Sequence, residues 1–242
     1  IKCGNGLNIL FGENGQGKTN WLKAIAVLAS ARSFRTTKLQ EAINFGEASA
    51  FIRGEVRESP EIMRDLRVVI QGNIKTLSIN DKKETVQSYL GQLHAVVFNA
   101  DELDIVRGQP DARRRFLDAG IVSLHPPFVQ VFTDYNRVVR QKNALLQSAR
   151  DNEQSLEKTT DLLEPWNTQL ATLATKIHKA RVRFVERLNG VLEKKLFARE
   201  EISVEYLSSL EGKGDMTDYA ALIAERLQLR VQAEVVAGHA LI

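Results

Sequence analysis

A glycine-rich segment near the start of the chain has the residue types and spacing of a phosphate-binding loop. Its residues are Gly12, Glu13, Asn14, Gly15, Gln16, Gly17, Lys18 and Thr19, and they match G-x-x-x-x-G-K-[ST] at every fixed position. Glycines let successive backbone N–H groups point at phosphate oxygens, and a helix starting near Lys18 adds the positive end of its dipole. In such loops the lysine reaches the β- and γ-phosphates and the hydroxyl, here of Thr19, ligates Mg²⁺. The sequence therefore predicts a nucleotide site, and a glycine turn with an incidental lysine is the alternative.

Hydrolysis needs an acidic residue as well, usually at the end of another apolar strand. The local candidates are Asp101 and Glu102, which follow the apolar run Ala95-Val96-Val97-Phe98. Two residues intervene, so these carboxylates would be displaced from the strand end by several ångströms, about 3.3 Å per residue. No Asn-Lys-x-Asp segment is present to read guanine, which argues against a GTPase. We thus expect binding of a nucleotide, with no certain catalytic residue.

The elements that position this loop follow from hydrophobic periodicity. A strand is predicted at Leu7–Phe11, and a helix at Lys18–Ala31 directly after the loop. Residues 48–98 are β-rich, with short apolar runs separated by turn residues such as Gly72-Asn73 and Asn80-Asp81. The phosphate loop therefore lies in a strand–loop–helix unit.

The region from Asp111 to about Ala198 has an almost wholly helical pattern. One long amphipathic helix is predicted after Pro126-Pro127. After the polar stretch Asp151–Ser155 a second helix is predicted to start near Pro165, because proline suits the first helical turn. That helix carries apolar residues at heptad steps: Trp166, Leu170, Leu173, Ile177, Ala180 and Phe184. Two such helices would form an antiparallel arm, or an ordinary helical subdomain. A strand at Ile202–Tyr206 and a short helix at Tyr219–Leu229 follow.

Composition bounds the class of protein. The chain has 242 residues, 43% hydrophobic and 26% charged, which is a globular composition. Its net charge of +3 is too small by itself to prove a polyanionic partner. The single cysteine, Cys3, fits a reducing compartment, and no segment is apolar and long enough to span a bilayer. We therefore expect a soluble intracellular protein with no membrane partner.

Several motifs together resemble the bacterial recombination-repair family RecF. Besides the loop, these are Ser33-Phe34-Arg35-Thr36, Val97-Phe98-Asn99-Ala100-Asp101-Glu102-Leu103, Arg107-Gly108-Gln109-Pro110, Arg113-Arg114-Arg115-Phe116-Leu117-Asp118 and Tyr135–Leu146 with its Gln141-Lys142-Asn143. The resemblance implies an α/β fold: a P-loop head of the ABC/SMC type, with a mixed sheet plus helices, and a second, helical lobe forming an antiparallel arm. It implies three segments: 1–100 in the ATPase lobe with the phosphate loop, 101–200 in the helical lobe, and 201–242 returning to the ATPase lobe.

The resemblance also implies function. We expect ATP and Mg²⁺ as cofactors, an ATP-dependent homodimer and sequence-independent DNA binding at gaps or single/double-strand junctions. We also expect weak DNA-stimulated ATP hydrolysis and recombinase loading with RecO and RecR. It implies a cytoplasmic, nucleoid-associated protein.

Departures from the family pattern limit these expectations. The family's first strands, its signature segment and its acidic switch strand have no counterpart in the 242 residues, so we expect a fragment that binds ATP without efficient hydrolysis. Trp21 and Lys23 replace usual residues after the loop, and we expect both to be tolerated. Asp101 and Glu102 match a post-strand loop that senses Mg²⁺ or substrate in related ATPases. His239 is expected to be a strand or loop histidine.

Two basic clusters are candidates for DNA contact. Lys176, Lys179, Arg183 and Arg187 form a stripe at helical spacing, which either contacts phosphates or is an ordinary solvated face. The second cluster comprises Arg107, Arg113, Arg114 and Arg115, and nearby acids could neutralise it through ion pairs.

Other classes of protein stay open at this stage. A phosphotransferase acting on a small molecule would use the same loop but leaves the long arm unexplained. A transporter ATPase should carry its signature segment within this length. A regulatory fragment with a vestigial loop would not bind ATP.

Overall fold

The computed structural model describes residues 1–32, 39–193 and 201–241. The chain divides into two compact units, Ile1–Gly108 and Gln109–Ile242, here called the first and second units. The assignment of 1–100, 101–200 and 201–242 to separate lobes stays a prediction. The motif Ser33-Phe34-Arg35-Thr36 and the end of the predicted helical region near Ala198 lie outside the described residues.

The first unit combines one long helix with a small sheet. In chain order its elements are α1 (Lys18–Ser30), a 3-10 helix (Leu39–Ala42), β1 (Ser49–Arg57), β2 (Met63–Gln71), β3 (Ile74–Ile79), β4 (Lys82–Glu84), α2 (Val86–Tyr89), a 3-10 helix (Ala100–Leu103) and α3 (Asp104–Arg107). The predicted helix after the phosphate loop and the predicted β-rich region are confirmed.

The four strands form an antiparallel sheet in the order β1-β2-β3-β4. Val68 of β2 lies opposite Ile52 of β1 and Leu77 of β3. Alternate residues of β2 and β3 are buried, among them Leu66, Val68, Ile70 and Leu77. Because side chains alternate across a strand, this pattern buries one face of the sheet. The turn between β3 and β4 uses Asn80 and Asp81 in left-handed conformations, which a tight hairpin requires.

Helix α1 packs against β1 and β2. Gly54 of β1 allows this close approach, because a Cβ there would lie 2.7 Å from Leu28 Cδ1 of the helix. At the end of the helix, Lys75 of β3 donates a 2.8 Å hydrogen bond to the carbonyl of Ala31. Burial lowers the pKa of the Lys75 amine. These contacts attach the helix that follows the phosphate loop to the sheet.

Two predicted strands are wrong. Residues 7–11 and 95–98 join no hydrogen-bonded ladder. Leu7, Phe11 and Val96 are 88%, 91% and 99% exposed, whereas strands of a parallel sheet are normally buried on both faces. An apolar run becomes a strand only when another strand satisfies its backbone N–H and C=O groups, and no described residue does so here.

The second unit is helical. It consists of α4 (Pro110–Leu124), α5 (Phe128–Asp151), α6 (Leu156–Leu192) and α7 (Tyr219–Ala237). A link of four residues, 152–155, joins α5 to α6, so the two helices pack side by side in opposite directions. The predicted helical hairpin is confirmed. Leu170 and Ile177 of the heptad seam are buried, and Trp166 and Leu173 pack against the same core.

Helix α6 begins nine residues before the predicted start, and Pro165 lies inside it. Ser155 caps the helix, because its Oγ accepts a hydrogen bond from the N–H of Lys158. A proline in a helix interior removes one backbone hydrogen bond and costs about 3 kcal/mol. Burial of Leu163 against Leu146 and Val231 offsets this cost. Tertiary packing therefore outweighs the local signal of the proline.

The predicted strand at Ile202–Tyr206 is also absent. The backbone of Val204 instead pairs with the side-chain amide of Asn189 on α6: its N–H donates to Oδ1 at 2.9 Å and its carbonyl accepts from Nδ2 at 2.8 Å. A side chain thus satisfies the backbone groups that a neighbouring strand would otherwise satisfy.

A buried ion pair joins α5 to α7. Lys142 Nζ lies 2.8 Å from Glu234 Oε2, and both side chains are fully buried. Burial lowers the pKa of the Lys142 amine, and the carboxylate of Glu234 opposes that effect. The other carboxylate oxygen of Glu234 accepts from the N–H of Leu241 at 3.0 Å.

Within the described ranges, none of the helices combines the length and apolar composition of a membrane-crossing segment.

Removing one member of the buried ion pair should destabilise the second unit strongly. We expect Glu234→Gln and Lys142→Met each to lower the free energy of unfolding by about 3–5 kcal/mol, because a buried charge is left without its counter-charge. The double variant Lys142→Met/Glu234→Leu should recover most of that loss. Urea denaturation measures all three, and a double variant no better than the singles would contradict this account.

The stability of the second unit should also fall below neutral pH. His178 stacks on Tyr219, with ring centroids 3.7 Å apart, and burial followed by the charges of Lys179 and Arg181 lowers its pKa below the ordinary 6.5. The unfolded chain then binds a proton that the folded chain does not, so the free energy of unfolding decreases as pH drops through 6.5. Denaturation curves at neutral and mildly acidic pH test this, and His178→Gln should reduce the difference between them.

Candidate functional site

The phosphate loop has the backbone conformation that its glycines allow. Gly12, Gly15 and Gly17 have φ angles of 145°, 86° and 82°, in the region that residues with a Cβ rarely adopt. Gly17 is the N-cap of α1 and offers no side-chain hydrogen bond to the helix start. The first N–H groups of a helix have no partner inside it, so this end presents donors and the positive end of the dipole.

Lys18 folds back over the loop. Its Nζ donates to the carbonyls of Gly12 at 2.8 Å and Glu13 at 2.6 Å. These neutral acceptors leave the positive charge of the ammonium group uncompensated, so an anion bound in the loop would meet a cation already held beside it.

A cavity of about 240 Å³ lies at this end of α1. Its lining residues are Asn14, Gly15, Gln16, Gly17, Lys18, Thr19 and Asn20. Thr19 is exposed, so its hydroxyl is available to a ligand. The arrangement provides backbone donors, one ammonium group and one hydroxyl around a small polar cavity, which suits a polyphosphate with its divalent cation.

Asp101 and Glu102 are not among the residues that line this cavity. They lie on the 3-10 helix Ala100–Leu103, where Asn99 Oδ1 accepts hydrogen bonds from their N–H groups at 2.9 and 3.2 Å. Among the described residues, His, Cys, Asp and Glu side chains form no cluster of three or more suited to a metal ion. A metal here would depend on the Thr19 hydroxyl and on oxygens of the nucleotide itself.

The predicted basic stripe on α6 is exposed along its length. Lys176, Lys179, Arg183 and Arg187 are all solvent-exposed, and none forms an ion pair with another described residue. Steps of three and four residues place them on one side of the helix. Four cations therefore share one solvated face.

The other arginine cluster is partly neutralised. Arg114 pairs with Asp111 within the first turns of α4, as the ion-pair alternative predicted. Arg107 lies in α3 and is exposed. Arg181 of α6 makes two hydrogen bonds to Asp118 of α4, at 2.8 and 2.9 Å. No local sequence pattern predicts this last pair, because its members lie 63 residues apart.

The remaining sequence candidates have modest roles. His239 is exposed, and its Nδ1 lies 3.0 Å from the carbonyl of Ala237. Lys23 donates to Asn20 Oδ1 at 3.2 Å on the surface of α1, and Trp21 is about half exposed. Neither departure from the family pattern disturbs the helix.

No protein-family model matches the chain. Curated relatives named DNA replication and repair protein RecF do match it. The relative from Ruminiclostridium cellulolyticum is 32% identical over 240 residues, covering 96% of this chain and 63% of that protein. The relative from Renibacterium salmoninarum is 34% identical over 228 residues, and the Staphylococcus aureus JH9 relative is 34% identical over 234 residues. Their matches cover 90% and 94% of this chain, and 57% and 60% of those proteins. The chain thus spans about three-fifths of these relatives.

Comparison with solved structures also finds RecF proteins. The chain is similar to the recombination mediator protein RecF of the RecFOR pathway in its ATP form, with a TM-score of 0.89 and 26% identity over 100% of this chain and 65% of that one. It is similar to the RecF-ATPrS form with a TM-score of 0.83 and 26% identity, over 96% of this chain and 63% of that one. The predicted α/β fold class, an ABC/SMC-type ATPase head with a helical lobe, is confirmed. So is the resemblance to RecF, which this chain matches in sequence and in fold over nearly its whole length.

Proposed function

We propose that this chain is the ATP-binding part of a RecF-type DNA replication and repair protein. The observation that carries the proposal is the phosphate loop at the uncapped start of α1, with Lys18 held beside it. The names of the relatives and the ATP form of the similar structure support it.

ATP would be held by its phosphates. The loop N–H groups from Asn14 to Thr19 and the ammonium group of Lys18 bind phosphate oxygens, and the Thr19 hydroxyl ligates Mg²⁺. When bound, the ion supplies positive charge that neutralises the β- and γ-phosphates. Lys18 exchanges two neutral carbonyl acceptors for negatively charged phosphate oxygens, which strengthens its hydrogen bonds.

Among the described residues, no carboxylate lines the cavity at the phosphate loop. Asp101 and Glu102, the local candidates for a catalytic carboxylate, lie outside the cavity lining. A phosphate loop stabilises the nucleotide, but an attacking water must also be positioned by another residue. We therefore propose that this chain binds ATP and turns it over slowly or not at all.

DNA is proposed to contact the exposed basic stripe of α6. Its four cations have no ion-pair partner among the described residues, so phosphates can approach them without breaking an existing pair. Contacts of this kind position a duplex and carry no base information. Binding would be independent of sequence and sensitive to salt, because each phosphate neutralised releases counterions.

The further parts of the proposal rest on the relatives. An ATP-dependent homodimer that closes on DNA and opens after hydrolysis would be a switch of the kind driven by a γ-phosphate. The RecFOR pathway named for the similar structures points to RecO and RecR as partners. Location in the cytoplasm at the nucleoid stays a prediction.

Removing the Lys18 ammonium group should abolish ATP binding. We expect Lys18→Ala to weaken the affinity for a slowly hydrolysed ATP analogue by at least about a hundredfold, since a charge-assisted contact to two phosphates is lost. ATP-dependent dimerisation, followed by size exclusion, should disappear with it. Lys23→Ala is the matched control, because Lys23 is a partly buried lysine of the same helix that does not line the cavity.

Loss of folding would not explain that result. Lys18 contacts only exposed loop carbonyls, so we expect the thermal midpoint of Lys18→Ala to stay within a few degrees of the parent, about 1 kcal/mol or less. Intact analogue binding by a well-folded Lys18→Ala would refute the nucleotide site.

Charge reversal on the stripe should weaken duplex binding. We expect Lys179→Glu and Arg183→Glu each to lower the affinity for every duplex sequence alike and to reduce the salt slope by about 1. The control is Lys158→Glu, the same charge change at an exposed lysine about 30 Å away along α6. Titrations at several salt concentrations measure both quantities. An equal effect of the control, or an unchanged slope, would contradict the assignment.

A further inference from the structure

The second unit contains a cavity of about 740 Å³ that the proposed nucleotide and DNA contacts do not use. Its walls come from α4, α5, α6, α7 and residues 206–210. The volume falls within the range of roughly 300–1,000 Å³ typical of ligand pockets. The phosphate loop belongs to the other unit, so this is a separate site.

The charged residues that line this cavity are unbalanced. Five arginines line it, Arg114, Arg115, Arg181, Arg226 and Arg230, against the two acids Asp111 and Asp118. Asp111 pairs with Arg114, and Asp118 pairs with Arg181. His178 also lines the cavity, and burial lowers the pKa of its ring, which favours the neutral form. Three of the five arginines, Arg115, Arg226 and Arg230, therefore form no ion pair with these two acids, although the charge of Arg115 also acts on Asp111.

At each of these three arginines, some guanidinium N–H groups have no hydrogen-bond or ion-pair partner among the described residues. Arg226 and Arg230 donate to the backbone carbonyls of Lys213 and Leu241, which are neutral acceptors. The Nε of Arg226 is buried and has no hydrogen-bond partner among the described residues. Arg115 is exposed and forms no ion pair within the described part of the chain. Carboxylates or phosphates on a ligand would complete all three guanidinium groups.

The floor of the cavity is aliphatic. Leu170 and Ile177 of α6 and Ile223 and Leu227 of α7 are buried beneath it, and Leu207 at its edge is 67% exposed. A pocket of this composition accepts an apolar side chain, with the arginines around it meeting acidic groups.

A peptide fits these walls better than a nucleic acid does. Two of the aromatic rings, His178 and Tyr219, already stack on each other with an interplanar angle of 9°, so those faces are closed to a base. Single-stranded nucleic acid is held by open aromatic faces. Of the other rings that line the cavity, Phe132 packs against Phe128 and Tyr206 against His178, with ring centroids 5.2 and 5.5 Å apart, and Tyr135 is partly buried. An acidic peptide and a nucleic acid would both supply anions for the arginines, but only the peptide also supplies an apolar side chain for the aliphatic floor.

We propose that this cavity binds a short acidic peptide segment of a partner protein, with one apolar side chain in the aliphatic floor and carboxylates on Arg115, Arg226 and Arg230. Affinity comes from the buried apolar anchor, and the excess of arginines selects acidic sequences over basic ones.

The test uses the full chain and a fluorescein-labelled peptide in which aspartates surround one phenylalanine. Fluorescence polarisation should show saturable binding that the same peptide with asparagines in place of aspartates lacks. We expect Arg115→Gln and Arg226→Gln each to weaken the affinity by about tenfold, the loss of one charged hydrogen bond. Leu207→Ala should weaken it as well, since it removes apolar contact at the edge. Arg140→Gln, at an exposed position of α5 outside the cavity and outside the basic stripe, should leave binding unchanged.

Two controls keep the result interpretable. Arg115 contributes no ion pair among the described residues, so Arg115→Gln should fold as the parent does even if Arg226→Gln loses stability. The proposal is overturned if the acidic peptide does not bind the parent chain, or if the asparagine peptide binds equally well. It is also overturned if an oligothymidylate displaces the peptide and loses affinity in the same arginine variants, because the site would then be one for nucleic acid.

Discussion

The ion pair between Lys142 and Glu234 determines how the second unit is arranged. Both side chains are fully buried, so neither charge is tolerable without the other. Lys142 belongs to α5 and Glu234 to α7, and the pair therefore fixes α7 both along and around its own axis. The same carboxylate also accepts the N–H of Leu241, and Asn143 beside the lysine accepts the N–H of Ala240 at 2.7 Å. Two adjacent residues of α5 thereby place the chain that follows α7.

The orientation of α7 also places two arginines that precede Glu234 on this helix. Arg226 and Arg230 lie eight and four residues before Glu234 on α7. Four residues rotate an α-helix by about 40° more than a full turn, so all three side chains lie on the same side of the helix. Fixing Glu234 against α5 therefore directs both arginines to the wall of the large cavity. On α6, Arg181 is held by Asp118 of α4, whereas the four cations of the stripe stay in solvent. One helix thus presents a neutralised arginine to the interior and a free basic face to the outside.

In the first unit, the phosphate loop is positioned by the packing of α1, the helix that follows it, against the sheet. Gly54 lets Leu28 approach the sheet, and Lys75 holds the carbonyl of Ala31 at the end of α1. The loop itself stays open, with Lys18 on carbonyls that phosphate oxygens can replace. Residues 7–11, on the other side of the loop, belong to no ladder and expose their apolar side chains. The loop therefore presents backbone donors and one ammonium group, and neither Asp101 nor Glu102 lines its cavity.

Local features of the sequence determined the phosphate loop, α1, the antiparallel strands and the hairpin of α5 and α6, because a glycine φ angle or a period of 3.6 or 2 depends on residues a few positions apart. They did not determine whether residues 7–11, 95–98 and 202–206 form strands, since a strand exists only with a hydrogen-bonded neighbour. Nor did they predict that α6 runs through Pro165, where packing of Leu163 outweighs a lost hydrogen bond. The pairs Lys142–Glu234 and Arg181–Asp118, and the cavity beside them, join residues far apart in the chain. Only the tertiary structure decided these, because a buried charge takes its counter-charge from whichever helix packing brings to it.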